Sequence, residues 1–141
     1  MPTTTLAKST DIPIPRGSIS PAGGEFRGPA VAVGLGGTML GWISNGSAAP
    51  TAAGYMEVFA SAKADGTMPA VPAVGTAIPG TDWYSIGIMT GASIAPNDTK
   101  ALTSLAVRAE HQYIFARIIG NVGNPVTGDG RFARIDSANS A

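Results

Sequence analysis

Apolar positions along this chain come in short runs separated by glycine, proline and asparagine. "GTMLGWISNG" stays apolar until Asn45-Gly46, a dipeptide that favours tight hairpin turns. "YMEVFASA" alternates, with Met56, Val58, Ala60 and Ala62 on one face and Tyr55, Glu57, Phe59 and Ser61 on the other, which is the period of a strand. "KADGT" turns the chain through Asp65-Gly66, and the proline-rich "MPAVPAVGTAIPGT" fits an edge strand or an ordered loop. "DWYSIGIMT" puts Tyr84, Ile86 and Ile88 on one face, and "TSLAVRA" does the same for Leu105 and Val107. "QYIFARIIG" is apolar on both faces, "VGNPVTGDG" reads as a turn, and "RFARID" reads as a last strand.

Residues 98 to 119 contain neither glycine nor proline, so two readings compete there. Asp98 is placed to cap a helix with Leu102, Leu105, Ala106, Ala109 and Tyr113 along one stripe. The β-branched and aromatic load of "YIFARII" instead favours two strands with a turn near "AEHQ". The expected fold is all-β, a jelly-roll-like β-sandwich with an extended N-terminal arm. The arm spans residues 1–29, the sandwich domain 30–136, and a polar tail 137–141. In the arm, "DIPIPRG" fixes an extended path, because each proline locks its own φ and biases the residue before it. Leu6, Ile12, Ile14 and Ile19 are its isolated apolar residues, and the segment reads either as a flexible arm or as one that orders against a partner.

"AVAVGLGGTMLGWI", residues 30 to 43, looks at first like a phosphate loop or a piece of membrane. Gly36 and Gly41 have P-loop spacing, but Trp42 and Ile43 stand where the lysine and hydroxyl should be. Met39 falls where a dinucleotide fingerprint needs its third glycine. The run is too short and too broken by glycine for a spanning helix, which needs about 20 apolar residues. The start, "MPTTTLAKSTDIPIPRG", is polar and proline-rich, unlike a secretory signal. A buried, small-residue strand remains, with glycines that mark close backbone approach or a bulge.

Composition narrows the function classes. A chain of 141 residues suits one domain with a real core. Its formal net charge of +0 argues against nucleic acid as a partner and leaves little self-repulsion to oppose association. With Cys 0 there is neither a disulfide framework nor a thiolate site. His111, the single histidine, lies in the charged "RAEHQ", and no G-x-S-x-G elbow offers it a serine. No metal-ligand spacing is present, and no cofactor is expected. Glu57, Asp82, Glu110, Asp129 and Asp136 could supply a carboxylate pair for glycoside hydrolysis only if two of them converge. Trp42, Trp83 and Tyr84 could form a sugar-stacking platform, although Trp83 and Tyr84 must point to opposite faces of one strand.

Arg108, Arg117, Arg131 and Arg134 fall in the last third of the chain, as solvated rim residues or as interface anchors. If Ile114, Ala116 and Ile118 face the core, Tyr113, Phe115, Arg117 and Ile119 face outward, and a large apolar face needs a cover. Ile12, Ile14, Tyr113, Phe115, Arg117 and Ile119 are therefore the candidate interface residues, with a second copy of the chain, as a dimer or trimer, as one candidate cover.

The segments "ASAKADGT", "TDWYSIGIM", "QYIFARIIGNVG" and "GRFARID" together resemble small virion proteins of tailed bacteriophages. The matching positions are Asp65 and Gly66 in a turn, Trp83 on a following strand, and Tyr113 with Arg117 on a late strand. The resemblance covers about residues 55 to 136 and breaks at the proline-rich passage 68 to 80. It implies a non-enzymatic head decoration (cement) protein, located on the capsid surface of a virion. Its partners would be a major capsid protein and further copies of itself, with no nucleic acid and no membrane. The rival expectation is a carbohydrate-binding or adhesin module of a phage tail or fibre.

Overall fold

The protein is seen here as a computed structural model that describes residues 2–6, 12–20, 25–45, 55–63, 82–91, 94–95, 97–119 and 125–138. In chain order the strands are β1 (Pro2–Leu6), β2 (Ile14–Ser20), β3 (Glu25–Arg27), β4 (Val31–Ala32), β5 (Gly36–Asn45), β6 (Tyr55–Ser61), β7 (Tyr84–Met89), β8 (Thr99–Ala101), β9 (Leu105–Arg108), β10 (Tyr113–Ile119) and β11 (Val126–Ala138). The described residues include no α-helix; a 3-10 turn at Ala109–His111 separates β9 from β10. Residues 98 to 119 are thus strands with a turn at "AEH", as the β-branched content predicts.

The strands form two antiparallel sheets, and the all-β sandwich expected from the sequence is what the chain adopts. In the six-stranded sheet, β11 lies between β5 on one side and β1 and β2 on the other, while β8 and β9 share the far edge of β5. In the five-stranded sheet, β10 lies between β6 and the short pair β3 and β4, and β7 pairs with β6. The main core fills the space between the sheets. Met39, Ile43, Val126 and Phe132 come from one side, and Met56, Val58, Ala60, Ile114, Ala116 and Ile118 from the other.

The stretch that imitates a phosphate loop is a tight turn and then β5. Gly34 and Gly36 have φ of 64° and 100°, the left-handed backbone that glycine adopts most easily. Beyond them Met39, Gly41, Ile43 and Asn45 face inward and Leu40, Trp42 and Ser44 outward. Gly41 sits at a close approach: a Cβ there would lie 3.1 Å from Met56 Cε and 3.2 Å from Met89 Cε, so the methionine ends would have to give by a few tenths of an ångström. The glycine gives its volume to the methionines of the facing sheet.

Four expectations need correction. Residues 1–29 are not an arm apart from the sandwich. β1 and β2 complete the free edge of β11, and β3 completes that of β10. Ile12, Pro13 and Ile14 are all buried, so the chain leading into β2 is packed against the sandwich. Pro15 is tolerated because β2 is an edge strand. "VGNPVTGDG" is not wholly a turn, since Val126–Gly130 begins β11, and "SANSA" is not wholly a tail, since β11 runs to Ala138. Finally, Tyr84, Ile86 and Ile88 do not share a face. Val58 pairs with Gly87 and Phe59 with Ser85, so Ile86 is the extra residue of a bulge, and Ile88 is turned outward. The Asp65-Gly66 turn and passage 68 to 80 lie outside the described residues.

Candidate functional site

The outer face of the six-stranded sheet carries an open polar groove of about 310 Å³. Its floor follows directly from pairing register. Thr127 on β11, Ser44 on β5 and Thr99 on β8 form one cross-strand row, and Asp129, Trp42 and Ala101 form the next. Alternation turns both rows away from the core, because Val126, Gly128 and Gly130 of β11 and Ile43 of β5 face inward. Arg16 and Gly17 form the remaining wall. They stand there because β2 bulges. Ser18 pairs with Gly128 and Ile14 with Gly130, so residues 15 to 17 span the place of Asp129 alone. Gly17 has φ of 85°, and Ser18 Oγ donates to the Pro15 carbonyl at 2.7 Å, which closes the bend.

The polar groups of the groove are ordered by one another. Arg131 Nε donates to Asp129 Oδ1 at 3.0 Å, and both side chains are about one-quarter to one-third exposed. Ser44 Oγ and Thr99 Oγ1 are 2.6 Å apart. Thr99 is placed by Asp98, whose Oδ1 accepts the Thr99 backbone N–H at 2.8 Å and whose Oδ2 meets Lys100 Nζ at 3.2 Å. That backbone hydrogen bond, with Lys100 adding to it, holds the Asp98 carboxyl below its ordinary range. Trp42 is half-buried in the floor, and its indole N–H has no partner among the described residues.

The outer face of the other sheet is closed instead of open. Phe59 and Phe115 stack at 4.9 Å between centroids, and Trp83 meets Phe115 edge-on at 5.0 Å. Arg27 lies over the Phe115 ring and Arg117 over the Phe59 ring, each at 5.2 Å. Arg117 binds Glu25 Oε2 through Nη1 at 2.7 Å and Glu57 Oε1 through Nη2 at 2.6 Å, and Arg27 joins Glu25 at 3.1 Å. Burial alone would lower the Arg117 pKa. The hydrogen bonds to Glu57 and Glu25 outweigh it and hold the pKa above its ordinary value.

This closure corrects the interface expectation. Ile114, Ala116 and Ile118 do face the core and Phe115 and Arg117 do face outward, but the outward face is covered within the chain. Ile14, Phe115, Arg117 and Ile119 are at most 2% exposed, and Ile12 is 9% exposed. Tyr113 is half-buried against the aromatic cluster. None of the six offers a free apolar surface to a partner. The sequence missed the reason, which is that Glu25, ninety-two positions from Arg117, arrives on β3. The remaining arginines do not form one patch: Arg108 pairs with Glu110 at 3.6 Å, Arg131 with Asp129, and Arg134 donates to the Ala32 carbonyl.

Among the described residues, Glu25 and Glu57 are carboxylates that converge, and both are spent on arginine. Asp82 pairs with Lys63 and Glu110 with Arg108, each on the surface. The side chain of Asp136 lies outside the described residues. His111 Nδ1 lies 2.8 Å from Tyr84 Oη at an exposed edge. Among the described residues no group of three His, Cys, Asp or Glu is placed to hold a metal ion, and no helix is long and apolar enough to cross a membrane. Of the three aromatic residues named for a sugar platform, Trp42 lines the groove, Trp83 is buried, and Tyr84 is on the other sheet.

No family model and no curated relative matches the chain. Among solved structures, the Yersinia pseudotuberculosis-derived mitogen (YPM) aligns over 100% of this chain and 93% of that chain, at 9% identity and a TM-score of 0.39. A likeness of that degree carries no argument about activity, ligand or partner.

Proposed function

We propose that this chain is a sugar-binding β-sandwich module without catalytic activity, and that the Trp42 groove is its site. One observation carries the reading: a half-buried tryptophan, directly opposite a clamped carboxylate and beside a row of hydroxyls, floors an open cavity. A sugar ring presents apolar C–H faces and a rim of hydroxyls. An aromatic floor suits the first, and Asp129, Ser44, Thr99 and Thr127 suit the second. The cavity of about 310 Å³ is at the small end of ligand sites, which run to roughly 1,000 Å³. Cleavage would need two carboxylates flanking the bond, whereas Asp129 is the one acid among the described residues of the groove wall and is paired with Arg131.

Placement on a virion, with a major capsid protein and further copies of the chain as partners, rests on the sequence resemblance. The two readings are compatible, because a sugar-binding sandwich on a particle surface would attach that particle to a glycan-coated host. A glycan array followed by calorimetry tests the binding. Wild-type protein is expected to bind a saccharide and Trp42→Ala to lose it while keeping the wild-type melting curve. Absence of any glycan signal, or undiminished binding by Trp42→Ala, would overturn the proposal.

A further inference from the structure

Arg16 is the arginine in the groove wall whose charge no partner answers among the described residues. Arg27, Arg108, Arg117, Arg131 and Arg134 each have a carboxylate or carbonyl partner. Arg16 has none among the described residues, although Asp129 lines the same cavity. Asp129 is already held by Arg131 at 3.0 Å, so Arg16, Asp129 and Arg131 together carry one positive charge in excess. The backbone around Arg16 is also fixed in advance. Pro15 sets its own φ, Gly17 takes the left-handed bend, and Ser18 Oγ ties back to Pro15 at 2.7 Å. Such a bulge presents its central side chain over the sheet at little ordering cost.

We infer that the groove selects an anionic saccharide, a sugar ring bearing a carboxylate or sulfate, with Arg16 taking the anionic group. This rests on the sugar-binding reading and names its ligand class. A guanidinium offers two parallel N–H donors that match a carboxylate or sulfate edge, and such charge-assisted bonds are about twice as strong as neutral ones. With the anion on Arg16, the ring lies over Trp42. Its hydroxyls then meet Thr127, Ser44 and the Asp129 oxygen that Arg131 leaves open.

The test compares three oligosaccharides of equal length by calorimetry: neutral, uronic-acid-containing and sulfated. Wild-type protein is expected to bind at least one anionic oligosaccharide about tenfold or more tightly than the neutral one. Raising the salt should weaken the anionic complex and leave the neutral one nearly unchanged. Arg16→Ala should abolish the preference while retaining the neutral affinity, and Trp42→Ala should abolish both. Arg16 is exposed, so the variant is expected to melt as the wild type does. Equal affinity for all three, or a preference that survives Arg16→Ala, overturns the inference while Trp42-dependent binding keeps the sugar reading. Binding to none of the three overturns both.

Discussion

Asp129 on β11 stands directly opposite Trp42 on β5, on the solvent side of the six-stranded sheet. Side chains so paired lie within about 5 Å of each other at Cβ, close enough to touch one ligand together. In the proposed sugar site Trp42 would provide area and Asp129 direction. Arg131 holds one carboxylate oxygen at 3.0 Å and thereby fixes the plane of the other.

Asp129→Ala should therefore weaken saccharide binding by about 1.5–3 kcal/mol, the range for a hydrogen bond to a charged group. It should change folding stability by less than about 1 kcal/mol, because the pair with Arg131 is partly solvated. Calorimetry and urea melts separate the two effects. A large loss of stability with unchanged binding would show that Asp129 serves the sheet and not a ligand.

Arg117→Met should destabilise the fold by roughly 3–5 kcal/mol, because it leaves the largely buried Glu57 without its counter-charge and Glu25 with Arg27 alone. The side chains of Arg117, Glu25 and Glu57 are 1%, 5% and 13% exposed, so water cannot replace the guanidinium. The pH sign follows from the raised Arg117 pKa. A cation whose folded pKa lies above its unfolded one contributes stability below the unfolded value and loses it only as pH rises through the folded value. The Arg117 contribution should thus be constant from neutral to moderately alkaline pH. A denaturant midpoint of Arg117→Met within experimental error of wild type would contradict this account.

Phe115→Asp should unfold the chain instead of dissociating an oligomer. Its ring is stacked on Phe59, met by Trp83 and covered by Arg27, with no exposed surface. Phe115→Ala, which adds no charge, should cost about 3–5 kcal/mol. Light scattering and circular dichroism on the same samples decide the point: a folded, smaller species from Phe115→Asp would restore it as an interface residue.

Strand content was legible wherever alternation or β-branching was strong, as in β6 and in β9 with β10. The register was not. The bulge at Ile86, which turns Ile88 outward, leaves no mark in "DWYSIGIMT" that separates it from an unbroken strand. The cover over Phe115 was hidden for a different reason. It depends on Glu25, Glu57 and Arg27 arriving from three strands, and charged residues far apart in sequence do not announce that they will be buried together. Trp42 was legible in the sequence as an outward aromatic candidate, whereas the groove position of Arg16 was not. Its place depends on a three-residue bulge whose signal, proline before and glycine after, looked like a mobile arm.

Gly128→Ala should destabilise the protein by about 1–3 kcal/mol, the usual cost of overpacking a tight core. A Cβ there would meet Ile118 Cδ1 at 2.1 Å, so the isoleucine tip must move. Ile118→Val removes that tip. The double variant should be more stable than the sum of the two single effects, a coupling that thermal melts of all four proteins measure. Strict additivity would mean that the two residues do not press on each other.

Removing residues 1–24 should destroy cooperative folding. β1 and β2 together cover the edge of β11 that faces away from β5, and without them a thirteen-residue strand presents unpaired N–H and C=O groups to solvent and to other chains. Ile14 is wholly buried, and a Cβ on Gly130 would lie 3.0 Å from its own Cβ, so the isoleucine fills space that the glycine leaves. Ile14→Ala alone should cost about 2–5 kcal/mol. Losing that side chain together with two strands exceeds what a domain with about 5–15 kcal/mol of stability withstands. The truncated chain is expected to aggregate and to show no cooperative thermal transition, with Ile14→Ala folded but lower melting. A dispersed amide spectrum and a sharp transition from the truncated chain would mean that residues 1–24 are an arm after all, and that the sandwich closes without them.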